Sequence, residues 1–423
     1  MASGKSVFSE LPTARIRKML FSVLEEENFN SNEVICKINE IVAGKWLSSI
    51  FFVDVYDSHK HLSLYLKCLP ISGKSKQAAS KRSFQNEVAF YTKVVPEFDT
   101  FQQEKLPLEK CFPVPIPRCF RAEVDGANDV IILEDLSKLD YIVKDRLEGM
   151  SIPEISLTLK ELGRFHAFSL AMKNQCPEKF KETKMHVIES IFSEPDFGEV
   201  FRYIFSNCWL DVHNFLKEYY EEHNMYLKKV EKFMTIAPDL MALQAKGDPL
   251  NEPYNAIIHG DPWVLNFMFH YKDGCEEPDD MRMLDFQQVR YTSPALDVGR
   301  MLFITMDKAT RDKQRDKMLL CYYQGLSQTL LKLGSNPELL FPFSQLEIQL
   351  KKYSAYFVTS SLLTLIHSLA EYEGGEQGFD GDSVKGYLKS VRKAQQNMTL
   401  KCRQRVIEII EEFVDLGYLD MND

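Results

Sequence analysis

The hydrophobic pattern divides the chain into two parts of different character. SSIFFVDVY (48–56) and HLSLYLKCL (61–69) alternate apolar and polar positions with a period of two, which predicts two strands. The polar DSHK between them predicts a hairpin connection. In the second strand Leu62, Leu64 and Leu66 share one face, while His61, Ser63, Tyr65 and Lys67 share the other. Upstream, LPTARIRKMLFSVLEEE predicts a helix, with Ile16, Met19, Leu20 and Val23 on one side. Downstream, SFQNEVAFYTKVV (83–95) predicts a second helix with a stripe of Phe84, Val88, Tyr91 and Val95. PVPIPRCF (113–120) is proline-dense and reads as extended. NDVIILEDL (128–136) is a short apolar run ending in acids, consistent with a buried strand.

Beyond residue 150 the period changes to that of helices. LTLKELGRFHAFSLAMK, VFRYIFSNCWLDVHNFLKEYYEE, RDKQRDKMLLCYYQGLSQTLLKLG and QLEIQLKKYSAYFVTSSLLTLIHSLAEY all carry it. The exception is 256–290, where the apolar runs NFMFHY and MRMLDF flank the acidic KDGCEEPDD and predict a hairpin. The expected fold is therefore α+β and bilobal. A small β-rich lobe covers 1–135, a connection lies near 133–140, and a larger, mainly helical lobe covers 136–423. There is no internal repeat, and EYEGGEQGFDGD (371–382) reads as a loop.

Composition narrows the function. Lys+Arg 51 against Asp+Glu 61 leaves a net charge of −10, which argues against a nucleic-acid partner. No apolar run reaches the roughly 18 residues of a membrane span. The nearest, Tyr356 to Ala370, is interrupted by Thr359, Ser360, Ser361, Thr364, His367 and Ser368. The first residues lack a charged segment followed by an apolar core, so no secretory signal is expected. The cysteines number 9, an odd count without any CxxC, which points to free thiols in a reducing, cytoplasmic setting.

The densest chemical constellation is IIHGDPWVLNFMF followed by MLDFQQ. Asp261 and Asn266 lie either side of a Pro-containing turn, so both can point from one loop into one cavity. If the two apolar runs pair, Asp285 returns to the mouth of that loop. A carboxylate and an amide oxygen suit Mg²⁺, with nucleotide phosphates completing its shell. Asp261 is then the carboxylate left to orient or deprotonate a hydroxyl. Lys67 lies on the strand face away from the leucines, and Glu87 sits on the next helix. Such a pair can hold a nucleotide's α/β-phosphates; spacing alone favours a solvated lysine and a surface glutamate, and the downstream loop reverses that preference. KINEIVAGKWLSS offers one turn glycine, Gly44, with Ser48 and Ser49 nearby, as a phosphate cover; a plain hairpin explains it as well. Leu133, Glu134, Asp135 and Leu136 stand where a strand runs into the lobe connection, the place for adenine. His166 reads as a packed histidine and Asp297 as a brace for the loop. Trp209, Trp263, Tyr219 and Tyr220 suit either a flat substrate's pocket or the core.

These blocks resemble the ecdysteroid kinase-like family, within the choline kinase and aminoglycoside phosphotransferase group of protein-kinase-like fold. The resemblance runs from about 30 to 415. It rests on the turn at 44–49, YLKCLP, NEVAFY, IILEDL, LGRFHAFSL, IIHGDPWVLNFMF and MLDFQQVRYTSPALDVG. It implies a catalytic role for Asp261, metal ligation by Asn266 and Asp285, a phosphate-binding pair in Lys67 and Glu87, and an adenine hinge at Leu133 to Leu136. The family usually reads H-N-D-L-W-x-N-N; this chain has Gly260, Pro262 and Leu265 at the differing positions. The implied activity is transfer of the ATP γ-phosphoryl group, with Mg²⁺, to a hydroxyl of a small molecule. A steroid such as an ecdysteroid, or a foreign phenol or glycoside, is the implied acceptor. A protein kinase fits less well, because no A-P-E-like segment follows Asp285. A non-catalytic nucleotide-binding scaffold is the remaining alternative.

Overall fold

A computed structural model describes residues 14–30, 34–41, 49–69, 74–126, 129–193, 195–369, 389, 393 and 398–420. Helix α1 (Ala14–Glu26) precedes strands β1 (Ile35–Ile41), β2 (Ser49–Tyr56) and β3 (His61–Cys68). Helix α2 (Lys74–Ala89) passes through a π turn at Phe90–Val94 into α3 (Val95–Gln103). Strands β4 (Cys119–Glu123) and β5 (Val130–Glu134) complete an antiparallel sheet of order β1-β2-β3-β5-β4. The predicted turn between β2 and β3 forms because the Asp57 carboxylate accepts from His59 N and Lys60 N at 2.8 and 2.7 Å.

The two faces of this sheet do different work. Leu64 and Leu66 of β3 join Val53, Val55, Val130 and Ile132 beneath Ile16, Met19, Leu20 and Val23 of α1. The opposite face, with Tyr65, Ile131 and Leu133, packs into a second and larger core with Phe84, Val88 and Tyr91. Lys67 belongs to that second face. The helix predicted for 83–95 is longer than its pattern showed. Pro96 has no N–H to continue an α-helical ladder, and the wide turn just before it lets the chain run on to Gln103.

The helical lobe begins with β6 (Ile142–Val143), α4 (Ile152–Gln175) and α5 (Pro177–Lys184). Helices α6 (Pro195–Tyr219), α7 (Met225–Met234) and α8 (Ala237–Lys246) follow. Four short strands then carry the central loops: β7 (Ala256–Ile258), β8 (Phe267–His270), β9 (Asp280–Met283) and β10 (Arg290–Thr292). The expected hairpin is β8–β9, with Phe267 opposite Met283; β7 pairs with β10, and β6 with β8. The chain continues through α9 (Ala295–Thr305), α10 (Lys308–Lys332), α11 (Pro337–Leu340), α12 (Phe343–Lys352), α13 (Ser354–Leu369) and α14 (Leu400–Asp415). The apolar stretch after Tyr356 is a core helix, and no helix among the described residues is long and apolar enough to cross a membrane. All nine cysteines are free thiols. The fold is thus bilobal and protein-kinase-like, with a small β-rich lobe and a larger helical one.

Helices α4 and α10 approach backbone to backbone. A Cβ on Gly163 would lie 2.2 Å from Tyr322 O, and one on Gly325 would lie 2.0 Å from Lys160 O. Each glycine therefore admits the other helix's backbone. Gly325→Ala is expected to destabilise the protein by about 3 kcal/mol, since a rigid helix must move to admit one methyl. Gln328→Ala, on the exposed side of α10, should stay within about 0.5 kcal/mol of wild type. Urea denaturation of both variants checks this, and equal stability would remove the close-approach account.

Candidate active site

The Lys67 ammonium lies between two carboxylates. Its Nζ is 2.6 Å from Glu87 Oε2 and 2.7 Å from Asp285 Oδ1. β3 supplies the lysine, α2 the glutamate and the turn after β9 the aspartate. Burial alone would lower the lysine pKa, but Asp285 and then Glu87 outweigh it and hold the ammonium above the usual lysine range. Burial pushes the Glu87 carboxyl up, against the pull of Lys67. Asp285 reaches this place through a left-handed backbone, φ 62° and ψ 66°, which an aspartate tolerates better than most residues. Its Oδ2 accepts from Gln287 Nε2 at 3.0 Å.

The β7–β8 loop is held from behind. Asp297, at the start of α9, accepts from His259 N at 2.8 Å and Gly260 N at 3.0 Å. Its Oδ2 also lies 3.2 Å from His166 Nε2 on α4, whose Nδ1 meets Tyr322 OH on α10 at 3.0 Å. Asp297 is fully buried, yet the His166 hydrogen bond and charge overcome the cost of burial and hold its carboxyl below the usual range. His259 Nε2 lies 2.9 Å from Leu284 O and must donate to it, so Nδ1 accepts from Asp261 N at 3.3 Å. This tautomer is neutral, and burial pushes the imidazole pKa down accordingly. The ring also tilts against Phe286, whose own ring stacks on Phe90 at 3.7 Å.

Gly260 explains one departure from the expected motif. Its φ is 83°, and a Cβ there would lie 2.0 Å from Gln288 O. No other residue fits without moving the β10 approach, so the glycine is a backbone requirement of this chain.

Asp261 and Asn266 meet as the loop predicted. Asn266 Nδ2 donates to Asp261 O at 2.9 Å and lies 3.5 Å from its Oδ2. Leu284 N donates to Asn266 O at 2.9 Å, which brings the end of the β8–β9 hairpin, and hence Asp285, beside Asn266. Burial pushes the Asp261 carboxyl up, opposed chiefly by Arg300, whose NH2 is 2.5 Å from Oδ1.

The other singled-out residues fare differently. Gly44 and Ser48 lie outside the described residues, as does the loop 371–382. Leu133 and Glu134 end β5, and their neighbours' backbone is partly engaged: Glu134 N donates to Arg118 O at 2.9 Å and Asp135 N to Ser63 O at 3.0 Å. The Asp135 carboxylate caps the next turn through Ser137 N and Oγ, and Leu136 is core. Trp209 is core, bonded to Thr359 Oγ1 at 3.0 Å; Tyr219 is exposed; Trp263, two residues after Asp261 in the chain, is half-buried against the core. Two contributors escaped the sequence reading. Asn86 Nδ2 donates to Val289 O at 2.6 Å and docks α2 on the turn after Asp285. An asparagine inside a helix, beside the apolar stripe, was the available signal. Arg300 was the other: with Asp297 it supplies the only charges of an otherwise apolar helix, three positions apart.

This architecture is that of a small-molecule kinase, a phosphotransferase with a hydroxyl acceptor. The chain belongs to the ecdysteroid kinase-like family, whose model matches residues 46–335. Among solved structures it is similar to a choline kinase from Cryptosporidium parvum, at 12% identity and TM-score 0.45, covering 95% of this chain and 97% of that one. It is also similar to a microcompartment-associated aminopropanol kinase, at 12% identity and TM-score 0.43, covering 95% and 98%. A GDP complex of aminoglycoside 2'-phosphotransferase-IIIa matches at 12% identity and TM-score 0.33, covering 90% and 99%. No curated protein matches the chain.

Asp297 gives a pH-dependent prediction. Its folded pKa lies below the unfolded value of about 3.9, so it adds stability above that pH and loses it as pH falls through the folded value. Asp297→Asn should cost roughly 2–3 kcal/mol at pH 7, from weakened charge-assisted bonds to His259 and Gly260. The gap from wild type should narrow below about pH 4 in urea titrations. A gap independent of pH would contradict the ionised brace.

Proposed function

We propose that the protein transfers the γ-phosphoryl group of ATP, with Mg²⁺, to a hydroxyl of a small organic molecule. The observation that carries this reading is the convergence of Lys67, Glu87 and Asp285 beside the loop that joins Asp261 to Asn266. In this reading the nucleotide binds between a unit of residues 1–135 and one of 136–423, with adenine against the backbone at 133–136, and Gly44 and Ser48, outside the described residues, are assigned to phosphate contact on sequence alone.

The donor set fits a hard cation. Asn266 commits its NH₂ to Asp261 O, so its amide oxygen is the end left to a ligand. Asp285 adds a carboxylate, and two protein oxygens leave room for phosphate oxygens and water. Asn266 and Asp285 would hold the ion, which when bound supplies charge neutralisation on the phosphates. Lys67, oriented by Glu87, binds the α/β-phosphates. Asp261 orients the acceptor hydroxyl and takes its proton. The acceptor oxygen forms a bond to the γ-phosphorus as the bond to the β–γ bridging oxygen breaks, and that electron pair leaves with ADP. Catalysis of this kind consists of positioning and electrostatic stabilisation.

The family name supports an ecdysteroid hydroxyl as acceptor, and the same chemistry extends to foreign phenols or glycosides detoxified by phosphorylation. Nine free thiols support a cytoplasmic setting. Mass spectrometry of steroid, phenol and glycoside panels incubated with ATP·Mg²⁺ tests the activity; a product 80 Da heavier, on the order of one phosphoryl unit, marks the acceptor. Asp261→Asn should lower turnover by roughly 10²–10⁴-fold while ATP·Mg²⁺ still raises the melting temperature. Asp285→Asn should lose the Mg²⁺-dependent part of that rise. Wild-type turnover in Asp261→Asn would refute the assignment.

A further inference from the structure

Asp261 is not free to turn. Arg300 NH2 holds Oδ1 at 2.5 Å, and the same nitrogen bonds Thr364 Oγ1 on α13 at 3.0 Å. Both partners are buried, Asp261 to 9% exposure and Arg300 to 7%. Among the described residues the second oxygen, Oδ2, has only Asn266 Nδ2 at 3.5 Å, and that nitrogen has a better acceptor in Asp261 O at 2.9 Å. Oδ2 is therefore the oxygen left for an acceptor's hydroxyl.

The charges around this carboxylate are also arranged. Those that bear on Asp261 are Arg300, Asp285, His259 and Arg290. His259 is neutral, and Asp285 is paired with Lys67. Arg290, buried on β10, lies 3.8 Å from Glu189 and stacks over the Tyr356 ring at 5.2 Å. Tyr356 in turn donates to Gly260 O at 3.3 Å. The negative charge of Asp261 is thus already matched by a guanidinium, with a second guanidinium behind it. An ammonium on the acceptor, close to its reacting hydroxyl, would meet these cations and, among the described residues that act on Asp261, no carboxylate without a cationic partner, so its desolvation would go uncompensated there.

Resting on the reading of Asp261 as the hydroxyl-orienting group, we infer that Arg300 is a positioning residue that aims Asp261 Oδ2 at the acceptor and selects uncharged hydroxyl compounds over amino alcohols. The test uses the full-length protein and its Arg300→Gln, Arg300→Lys and Asp261→Asn variants. ADP release is followed with neutral alcohols, phenols and steroids, with ethanolamine and choline, and with water alone. Wild type should turn over neutral acceptors and leave both amino alcohols at the level of water alone. Arg300→Gln should lose roughly 10- to 100-fold in kcat, on the best neutral acceptor and on water, with KM for ATP unchanged. In that variant millimolar ethanolamine or choline should raise the melting temperature of the ATP·Mg²⁺ complex, which it does not in wild type. Arg300→Lys should recover part of kcat and still reject amines.

Wild-type kcat in Arg300→Gln, or a wild-type preference for ethanolamine or choline, overturns the inference. If Asp261→Asn is impaired while Arg300→Gln is not, this inference alone fails. If Asp261→Asn turns over normally, the underlying functional reading fails with it. Should Arg300→Gln not fold, Thr364→Val removes the prop without touching Asp261. A fall of about threefold in kcat with amines still rejected supports the inference, and an unchanged kcat overturns it.

Discussion

The structure depends on one buried charge arrangement, the Lys67 ammonium between Glu87 and Asp285. An ammonium withdrawn from water is tolerated only when opposite charge replaces its hydration. Here the replacement comes from three separate elements, so meeting the requirement also fixes β3, α2 and the β9–β10 turn relative to one another. Asn86, the neighbour of Glu87, reinforces the joint by donating to the backbone of that turn. Two carboxylates against one ammonium leave an excess of negative charge. That excess is the electrostatic reason for assigning the proposed Mg²⁺ to the Asp285 side rather than to the Glu87 side, where the carboxylate is nearly inaccessible at 2% exposure.

A second constraint acts from below. The β7–β8 loop exposes its backbone N–H groups to the interior of the helical lobe, where an unmatched donor is costly. Asp297 accepts two of them and is itself held by His166. The loop is therefore anchored by α9, α4 and, through Tyr322, α10. The glycine pair that lets α4 and α10 approach so closely belongs to the same chain of support. Helix packing far from Asp261 thus determines where Asp261 stands.

Much of this was legible in the residues. The period-two strands, the Asp57 turn and the β8–β9 hairpin follow from local patterning, because one face of each strand must be buried. Lys67 and Glu87 could be paired only as a hypothesis, since no local pattern says which helix a strand lysine will meet. The direct contact of Lys67 with Asp285, separated by 218 residues, was beyond that reach. The continuation of α2 through a π turn was hidden because Pro96 ordinarily marks a helix boundary. Arg300 was hidden for the opposite reason. It shares one helix with Asp297, and nothing in the local pattern separates their partners, yet the two side chains diverge to opposite ends of the same short loop segment, Asp297 to the backbone of 259–260 and Arg300 to the side chain of Asp261.

The division of the site between chain segments bears on how its chemistry and its choice of acceptor are related. Lys67, Glu87, Asp261, Asn266, Asp285 and Arg300 all fall within the matched segment 46–335. Tyr356 and Thr364 come after it, on α13, and reach back to Gly260 and Arg300. The groups proposed to handle phosphate are thus held by the sheet, α2 and the central loops, while the acceptor side of Asp261 is braced by a helix from beyond that segment. A change along α13 can alter the seat of Arg300 without disturbing Lys67 or Asp285, because no hydrogen bond joins those two groups directly among the described contacts. On the proposed reading, acceptor choice can therefore vary through α13 while the groups assigned to phosphoryl transfer stay as they are.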